Sequence, residues 1–189
     1  MKRKIMGGGG FLMIVVMVAL LVPLNGWAIF GCQERCLPDD PGKFRGIWWG
    51  QYLGALKDMK LVNADRANAG EFYYVKRDDP LTFGDAKLEY VQYGFWRNLY
   101  SSVAFGTNGL QNWEALRRIC FENFQRWQQP DKYVEKYYWT GRHSAMMLQY
   151  NEATGLGQLY VYSKVIYERQ LALARSTGSA PISRGFWQQ

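Results

Sequence analysis

The stretch KLEYVQYGFWRNLYSSVAF, residues 87–105, constrains the fold more than any other part of this sequence. In residues 87–96, successive side chains alternate between two faces, as they do in a strand. Arg97-Asn98 suits a tight turn, and residues 99–105 are again apolar and aromatic. This pattern predicts an antiparallel β-hairpin. Because such strands have an apolar face that must be covered, the hairpin requires further strands and a layer of helices.

Four more strand-like runs and one strong helix complete the predicted architecture. The strands span residues 72–77, 133–140, 144–151 and 158–165. The helix spans residues 110–127, where apolar residues recur at steps of three and four, and Pro130 lies beyond its end. Shorter helices are predicted at residues 52–59 and 167–175.

The order of these elements predicts an α+β fold with an antiparallel sheet of about six strands. The sheet is built from two units, each a helix followed by three strands, and the helices lie on one face. The sequences YGFW at residues 93–96 and KYYW at residues 136–139 occupy comparable strand ends, which favours two related units.

The first 28 residues predict an export signal. Basic residues at positions 2–4 precede twelve apolar residues at 11–22, and Gly26 and Ala28 are placed as at a cleavage site. Twelve helical residues span about 18 Å, which is less than the bilayer core of about 30 Å. The protein is therefore predicted in the periplasm or outside the cell. The alternative is an uncleaved anchor that extends through Phe30 and tethers the protein to the membrane.

Composition divides the chain after residue 28 into three segments. Residues 29–43 are predicted to be a linker, residues 44–175 a single domain, and residues 176–189 a mobile tail. The signal contains three of the 23 basic residues and none of the 16 acidic residues, which leaves a net charge of +4 for the rest. These charges form no basic stripe, so nucleic acid is not a predicted partner.

Three cysteines leave two pairings open. The sequence IFGC ends at Cys32 and resembles a lipid-attachment motif. If Cys32 carries a lipid, Cys36 can pair with Cys120. Otherwise Cys32 and Cys36 can pair locally, with Cys120 buried in its helix as a small apolar residue. The cysteine spacing fits neither a redox motif nor a closed metal site, so no metal and no cofactor are predicted.

Candidate catalytic residues are few. His143 is the only histidine and lies in a predicted turn. The carboxylate pairs Asp39-Asp40 and Asp78-Asp79 both stand beside prolines, where turn formation explains them. No residue is assigned a catalytic role; a hydrolase that uses a carboxylate pair is the alternative.

Adjacent aromatic residues are the strongest binding candidates. They are Trp48, Trp49, Tyr73, Tyr74, Tyr137, Tyr138 and Trp139. Neighbours in a strand point to opposite faces, so each pair directs one ring to the core and one to the other face. If the helices cover one face only, several rings remain exposed and form a surface for a protein partner, an apolar ligand or a glycan.

The start of the domain carries a family resemblance. The pattern Phe44-x-Gly46-x-x-Trp49-Gly50, followed by a short helix and by strands that end in an aromatic residue, resembles a broad group of uncharacterised exported bacterial proteins. The order of elements over residues 44–166 is also similar to the fold of β-lactamase-inhibitor-like and outer-membrane-assembly small lipoproteins. The resemblance implies binding or scaffolding in the cell envelope and supplies no catalytic residues.

The sequence therefore predicts a non-enzymatic exported envelope protein that binds a protein partner or a small ligand through an aromatic sheet face. Membrane contact is expected only through the N-terminal segment or through a lipid on Cys32. A scaffold anchored to the membrane by its N-terminus is a further alternative.

Overall fold

A seven-stranded antiparallel sheet organises the fold in a computed structural model that describes residues 42–65, 70–124 and 126–178. In chain order the elements are β1 (Lys43–Phe44), β2 (Ile47–Trp48), β3 (Met59–Asp65), β4 (Glu71–Lys76), β5 (Thr82–Phe83), β6 (Ala86–Lys87), β7 (Tyr90–Trp96), β8 (Leu99–Asn108), α1 (Leu110–Asn123), β9 (Lys136–Thr140), β10 (Ser144–Asn151), β11 (Leu156–Ser163) and α2 (Lys164–Thr177). The strand order in the large sheet is β3-β4-β7-β8-β11-β10-β9, and β1-β2 and β5-β6 form separate short hairpins.

The α+β class and the antiparallel sheet agree with the sequence prediction. The predicted hairpin at residues 87–105 is present as β7 and β8, in a register that pairs Tyr93 with Val103. The strands β8 and β11 lie side by side at the centre of the sheet, with Phe105 opposite Leu159. The sheet therefore joins two meanders through their last strands.

The predicted number of strands is corrected from about six to seven. The additional strand is β3, which pairs with β4 at one edge. The helix predicted at residues 52–59 is reduced to a single 3-10 turn at Leu53–Ala55. The β3 register shifts between Leu61 and Asn63. Because this bulge interrupts the alternation of side chains, the strand has no period-two signature.

The two helices lie on opposite faces of the sheet, which corrects the prediction that they share one face. On one face, Trp113 of α1 belongs to the same buried cluster as Val161 of β11. On the other face, the ring of Tyr162 in β11 lies 5.2 Å from that of Tyr167 in α2. Since Val161 and Tyr162 are neighbours in one strand, their side chains point to opposite faces. We call these the α1 face and the α2 face.

Of the two predicted units, the second is present in chain order, because α1 is followed by β9, β10 and β11. The first is not: its helix is the 3-10 turn Leu53–Ala55, and four strands of the large sheet, β3, β4, β7 and β8, follow it. The sequence YGFW ends β7, the third strand of its meander, whereas KYYW lies in β9, the first strand of the other. The two aromatic sequences therefore do not occupy equivalent positions.

The short hairpins complete the main core on the α1 face. The ring of Phe44 lies 5.5 Å from that of Phe105, and the ring of Phe83 lies 5.1 Å from it. All three side chains are at most 6 % exposed. Burial of a phenylalanine side chain contributes about 1.5–3 kcal/mol. The hairpins thus cover apolar sheet surface that α1 does not reach.

Several predictions fall outside the described residues: the signal at residues 1–28, Cys32, Cys36 and nearly all of the linker. At the other end, α2 runs to Thr177, two residues into the predicted tail. Among the described residues, neither helix is both long and apolar enough to cross a membrane.

Candidate functional site

The seven aromatic residues predicted as one binding face do not form one exposed surface, which corrects that prediction. Tyr73 and Tyr74 in β4 point to opposite faces, as the alternation of a strand requires. Tyr73 is buried on the α2 face, where its hydroxyl donates to Glu71 Oε2 at 3.1 Å. Tyr74 lies on the α1 face, with its ring edge-on to Phe95 at 5.4 Å.

Trp48 and Trp49 lie near the N-terminal hairpin. Trp48 is 56 % exposed, and the ammonium of Lys43 lies 4.9 Å from the centre of its ring. Trp49 stacks on Tyr100 at 4.8 Å and packs against the core. These two rings belong to a different part of the molecule from the aromatic residues of β9.

The three aromatic residues of β9 are divided between the two faces. Tyr137 and Trp139 are buried on the α1 face. Tyr138 points to the opposite face and is partly exposed, with Lys136 5.7 Å from its ring. Tyr137 and Trp139 are part of a larger aromatic cluster beside the end of α1, and this cluster reaches solvent.

A surface between α1 and β9 combines stacked rings with a hydrogen-bonded charged pair, and we call it the α1–β9 surface. Its members are Trp113, Arg117, Phe121, Trp127, Glu135, Tyr137 and Tyr150. The helix contributes Trp113, Arg117 and Phe121. These three are spaced four residues apart and therefore lie in one line along α1.

The first end of the surface is formed by Tyr150 and Trp113. Their rings are nearly parallel, with centroids 5.1 Å apart and an interplanar angle of 13°. Trp113 is only 1 % exposed. Tyr150 therefore covers Trp113 and is itself partly exposed.

The second end is formed by Trp127 and Phe121. Their rings stack at 4.9 Å with an angle of 12°, and Tyr137 contacts both edge-on at 4.9 and 5.4 Å. Trp127 is 44 % exposed, so part of its indole is available to a ligand. Offset and edge-on ring pairs of this kind contribute about 0.5–1.5 kcal/mol beyond the burial of their area.

The centre of the surface is a charged pair. Arg117 donates to Glu135 Oε2 at 2.9 Å, and the Tyr137 hydroxyl donates to the same oxygen at 2.8 Å. The side chains of Arg117 and Glu135 are 34 % and 31 % exposed. Burial raises the pKa of Tyr137, and its contact with Glu135 raises it further. Burial acts to lower the pKa of Arg117, but the contact with Glu135 outweighs it, so the guanidinium stays charged.

Hydrogen bonds hold the surface in place. The backbone of Gln128 pairs with that of Tyr138 in both directions, at 2.8 and 2.9 Å, and thereby fixes the position of the preceding Trp127. The indole N–H of Trp139 donates to the carbonyl of Phe124 at 2.7 Å, just beyond the end of α1. The rings are therefore presented by a fixed backbone.

An open depression of about 560 Å³ adjoins the surface along α1. It is lined by Glu114, Arg117, Arg118, Phe121 and Glu122. A shallow site lined by one aromatic ring and by charged side chains can contribute stacking and hydrogen bonds to a ligand. It does not enclose a molecule.

The candidates for catalysis occupy structural positions. His143 lies in the turn between β9 and β10, where its carbonyl accepts the backbone N–H of Lys164 at 2.8 Å. Cys120 is a free thiol with no exposed surface, and burial raises its pKa. Asp79 forms an ion pair with Arg45. Within the described ranges, no three potential metal ligands lie together.

The α2 face carries a buried carboxylate. Glu71 is 6 % exposed, and its Oε1 accepts hydrogen bonds from Ser101 at 2.5 Å and Ser102 at 3.0 Å. Together with the Tyr73 contact, these bonds satisfy the carboxylate inside the fold. This cluster joins β4 to β8 across β7.

Comparison of the chain with protein-family models, with curated proteins and with solved structures found no match in any of the three. The family resemblance inferred from the opening pattern therefore stays a prediction, and the functional assignment depends on the geometry of the α1–β9 surface.

Sequence reasoning missed most of this surface. It did not single out Arg117, and it extended the helix to residue 127, whereas α1 ends at Asn123. The available signal was the four-residue spacing of two aromatic residues on either side of an arginine. The partner Glu135 could not be found, because its contact with Arg117 depends on how β9 docks beside the helix.

Proposed function

We propose that the protein is a non-enzymatic binding protein of the cell envelope and that its ligand binds at the α1–β9 surface. The observation that carries the proposal is the arrangement of two stacked aromatic pairs on either side of the exposed Arg117–Glu135 pair. Rings with one free face and a few oriented polar groups are typical of binding sites.

The contacts of the Glu135 and Asp79 carboxylates support a binding function rather than hydrolysis. Glu135 is ion-paired with Arg117, and Asp79 is ion-paired with Arg45 and accepts a hydrogen bond from Tyr93. Each of these carboxylates accepts hydrogen bonds from an arginine and a tyrosine, and these contacts hold it in the fold. The hydrolase alternative needs two carboxyl groups facing a shared cleft, and neither of these carboxylates has such a neighbour in its described contacts.

The location in the envelope depends on the N-terminal segment. A cleaved signal, a lipid on Cys32 and an uncleaved anchor would all place the folded part of the chain outside the cytoplasm. The proposal holds for each of these arrangements, since the α1–β9 surface belongs to the folded part.

The test is photo-crosslinking in the cells that make the protein. A photoreactive amino acid replaces Tyr133, which is 84 % exposed and stands two residues before Glu135 without belonging to the surface. The matched position is Tyr52, 58 % exposed at the opposite half of the sheet, where it pairs with Leu99. We expect an adduct from position 133 and none from position 52.

The adduct must also depend on the surface itself. Adding Trp127→Ala and Arg117→Ala is expected to abolish crosslinking from position 133. Equal adducts from positions 133 and 52, or an adduct that persists in the double variant, would exclude the α1–β9 surface as the binding site.

A further inference from the structure

We infer that the ligand of the α1–β9 surface is a neutral oligosaccharide; this inference rests on the proposed function and specifies its ligand. Three properties of the surface lead to it: the outward ring faces, the balance of charge, and the distance between the aromatic pairs. Each restricts the chemistry of the occupant in a different way.

The ring faces select a flat ligand with apolar C–H groups. Trp127 and Tyr150 each have one ring face covered by a stacking partner, Phe121 and Trp113. Their outer faces remain for a ligand. Sugar rings present patches of C–H groups that stack on such amphipathic aromatic faces, while their hydroxyls stay free for hydrogen bonds.

The Arg117–Glu135 pair at the centre of the surface favours a ligand that carries hydroxyl groups. Both described contacts of Glu135 are made by Oε2, so Oε1 has no hydrogen-bond partner in the described part of the chain. A guanidinium has five N–H donors, and Arg117 uses one of them on Glu135. A ligand that both donates and accepts, as a hydroxyl does, fits this pair.

The charge balance disfavours an anionic ligand. Arg117 and Glu135 neutralise each other, and Arg118 at the rim is ion-paired with Asp85. The nearby acids Glu114 and Glu122 would repel an anionic sugar or an acidic peptide. A neutral ligand avoids this repulsion, and its hydroxyls can bond to the Arg117–Glu135 pair without bringing a further charge.

The spacing requires more than one sugar unit. Trp113 and Phe121 are eight residues apart in α1, which corresponds to about 12 Å along the axis. The two ring platforms therefore stand farther apart than one monosaccharide reaches. An oligosaccharide of a few units can contact both platforms and the charged pair between them.

The test is calorimetric titration of the purified folded protein with three tetrasaccharides. Tetra-N-acetylchitotetraose and cellotetraose are neutral, and tetragalacturonate is the acidic comparison. We expect the neutral probes to bind with dissociation constants below about 10 mM and the acidic probe to bind at least about tenfold more weakly. Trp127→Ala and Glu135→Gln should each weaken neutral binding about tenfold or more, whereas Tyr52→Ala should not change it.

The outcomes separate this inference from the proposed function. Absence of neutral binding, preference for the acidic probe, or binding that survives both substitutions each overturns the oligosaccharide. If position 133 gives a protein adduct that the Trp127→Ala and Arg117→Ala double variant abolishes, the surface binds a protein partner instead. If crosslinking and titration both fail, the proposed function is wrong as well.

Discussion

The guanidinium of Arg45 lies 2.7 Å from Oδ1 of Asp79, and this ion pair fastens the N-terminal hairpin to the body of the protein. The two side chains are only 14 % and 11 % exposed. Arg45 also donates to the carbonyls of Pro80 and Thr82, and Asp79 Oδ2 accepts the hydroxyl of Tyr93 at 2.6 Å. Every polar contact of this pair thus joins segments that are distant in sequence.

Removing one member of the pair should be costly, because the other charge would stay buried without its partner. We expect Asp79→Ala to lower the free energy of unfolding by about 3–5 kcal/mol. The matched control is Asp85→Ala, which breaks the exposed pair with Arg118 and should cost less than about 1 kcal/mol after solvent screening. Urea unfolding measures both. Equal losses of unfolding free energy in the two variants would show that the buried pair does not stabilise the attachment of the N-terminal hairpin.

Tyr100 and Tyr93 provide a second matched comparison. Their rings lie 6.0 Å apart, but the buried hydroxyl of Tyr100 has no hydrogen-bond partner among the described residues, whereas that of Tyr93 contacts both Asp79 and Arg45. We expect Tyr100→Phe to be neutral or stabilising and Tyr93→Phe to cost about 1.5–3 kcal/mol. Thermal and urea unfolding of the two variants check this, and a destabilised Tyr100→Phe protein contradicts it.

The buried tyrosines should make the fold sensitive to alkali. Burial raises the pKa of Tyr100 well above its ordinary value of 10.0, and burial likewise raises that of Tyr160. The unfolded chain releases these protons first, so their contribution is complete below about pH 10 and is lost as the pH rises further. Urea unfolding between about pH 8 and 11 should show the loss, with a smaller slope for Tyr100→Phe. A flat profile would refute the expectation.

Gly94 should tolerate no side chain. A Cβ atom there would collide with Ser102 Oγ and lie 2.8 Å from Glu71 Oε1, inside a fully paired polar cluster. We expect Gly94→Ala to destabilise the fold by about 1–3 kcal/mol. Gly54→Ala is the control, because its Cβ would meet only the exposed ring of Tyr52, which can move. Similar unfolding midpoints for both variants would argue against this packing.

The N-terminal prediction is checked by intact mass. From separated soluble and membrane fractions, we expect a soluble species that starts at Ile29, after cleavage behind Ala28. A membrane species that starts at a lipid-modified Cys32 would identify a lipoprotein. Full-length mass in the membrane fraction would contradict cleavage and establish the anchor. A gain of about two daltons on reduction would reveal a disulfide.

The hairpin at residues 87–105 was predictable because a turn separates two runs that both carry the strand pattern. β3 was not, since its bulge between Leu61 and Asn63 removes the alternation that marks a strand. Local pattern therefore identified the strands whose side chains alternate and missed the one whose ladder is irregular.

The placement of the two helices on opposite faces of the sheet could not be predicted from the sequence, and the reason is a different one. In β11, Leu159 and Val161 face α1, but Tyr160 and Tyr162 on the other side are also largely covered. Because both sets are apolar or aromatic, the pattern does not show which face receives which helix. The α1–β9 surface could not be predicted either. Its residues come together only because α1 packs on one particular face of the sheet, and the sequence pattern does not show which face that is.

Both edges of the large sheet are irregular: Gln128 pairs with Tyr138 at one edge, and β3 has a bulge at the other. One outer strand already has a backbone partner at its middle, and the other is distorted there and carries Lys60. An extended segment of another molecule finds no regular row of N–H and C=O groups at either end. The described outer strands thus offer an irregular edge for strand addition, so we expect that concentrated solutions of this protein do not form fibrils.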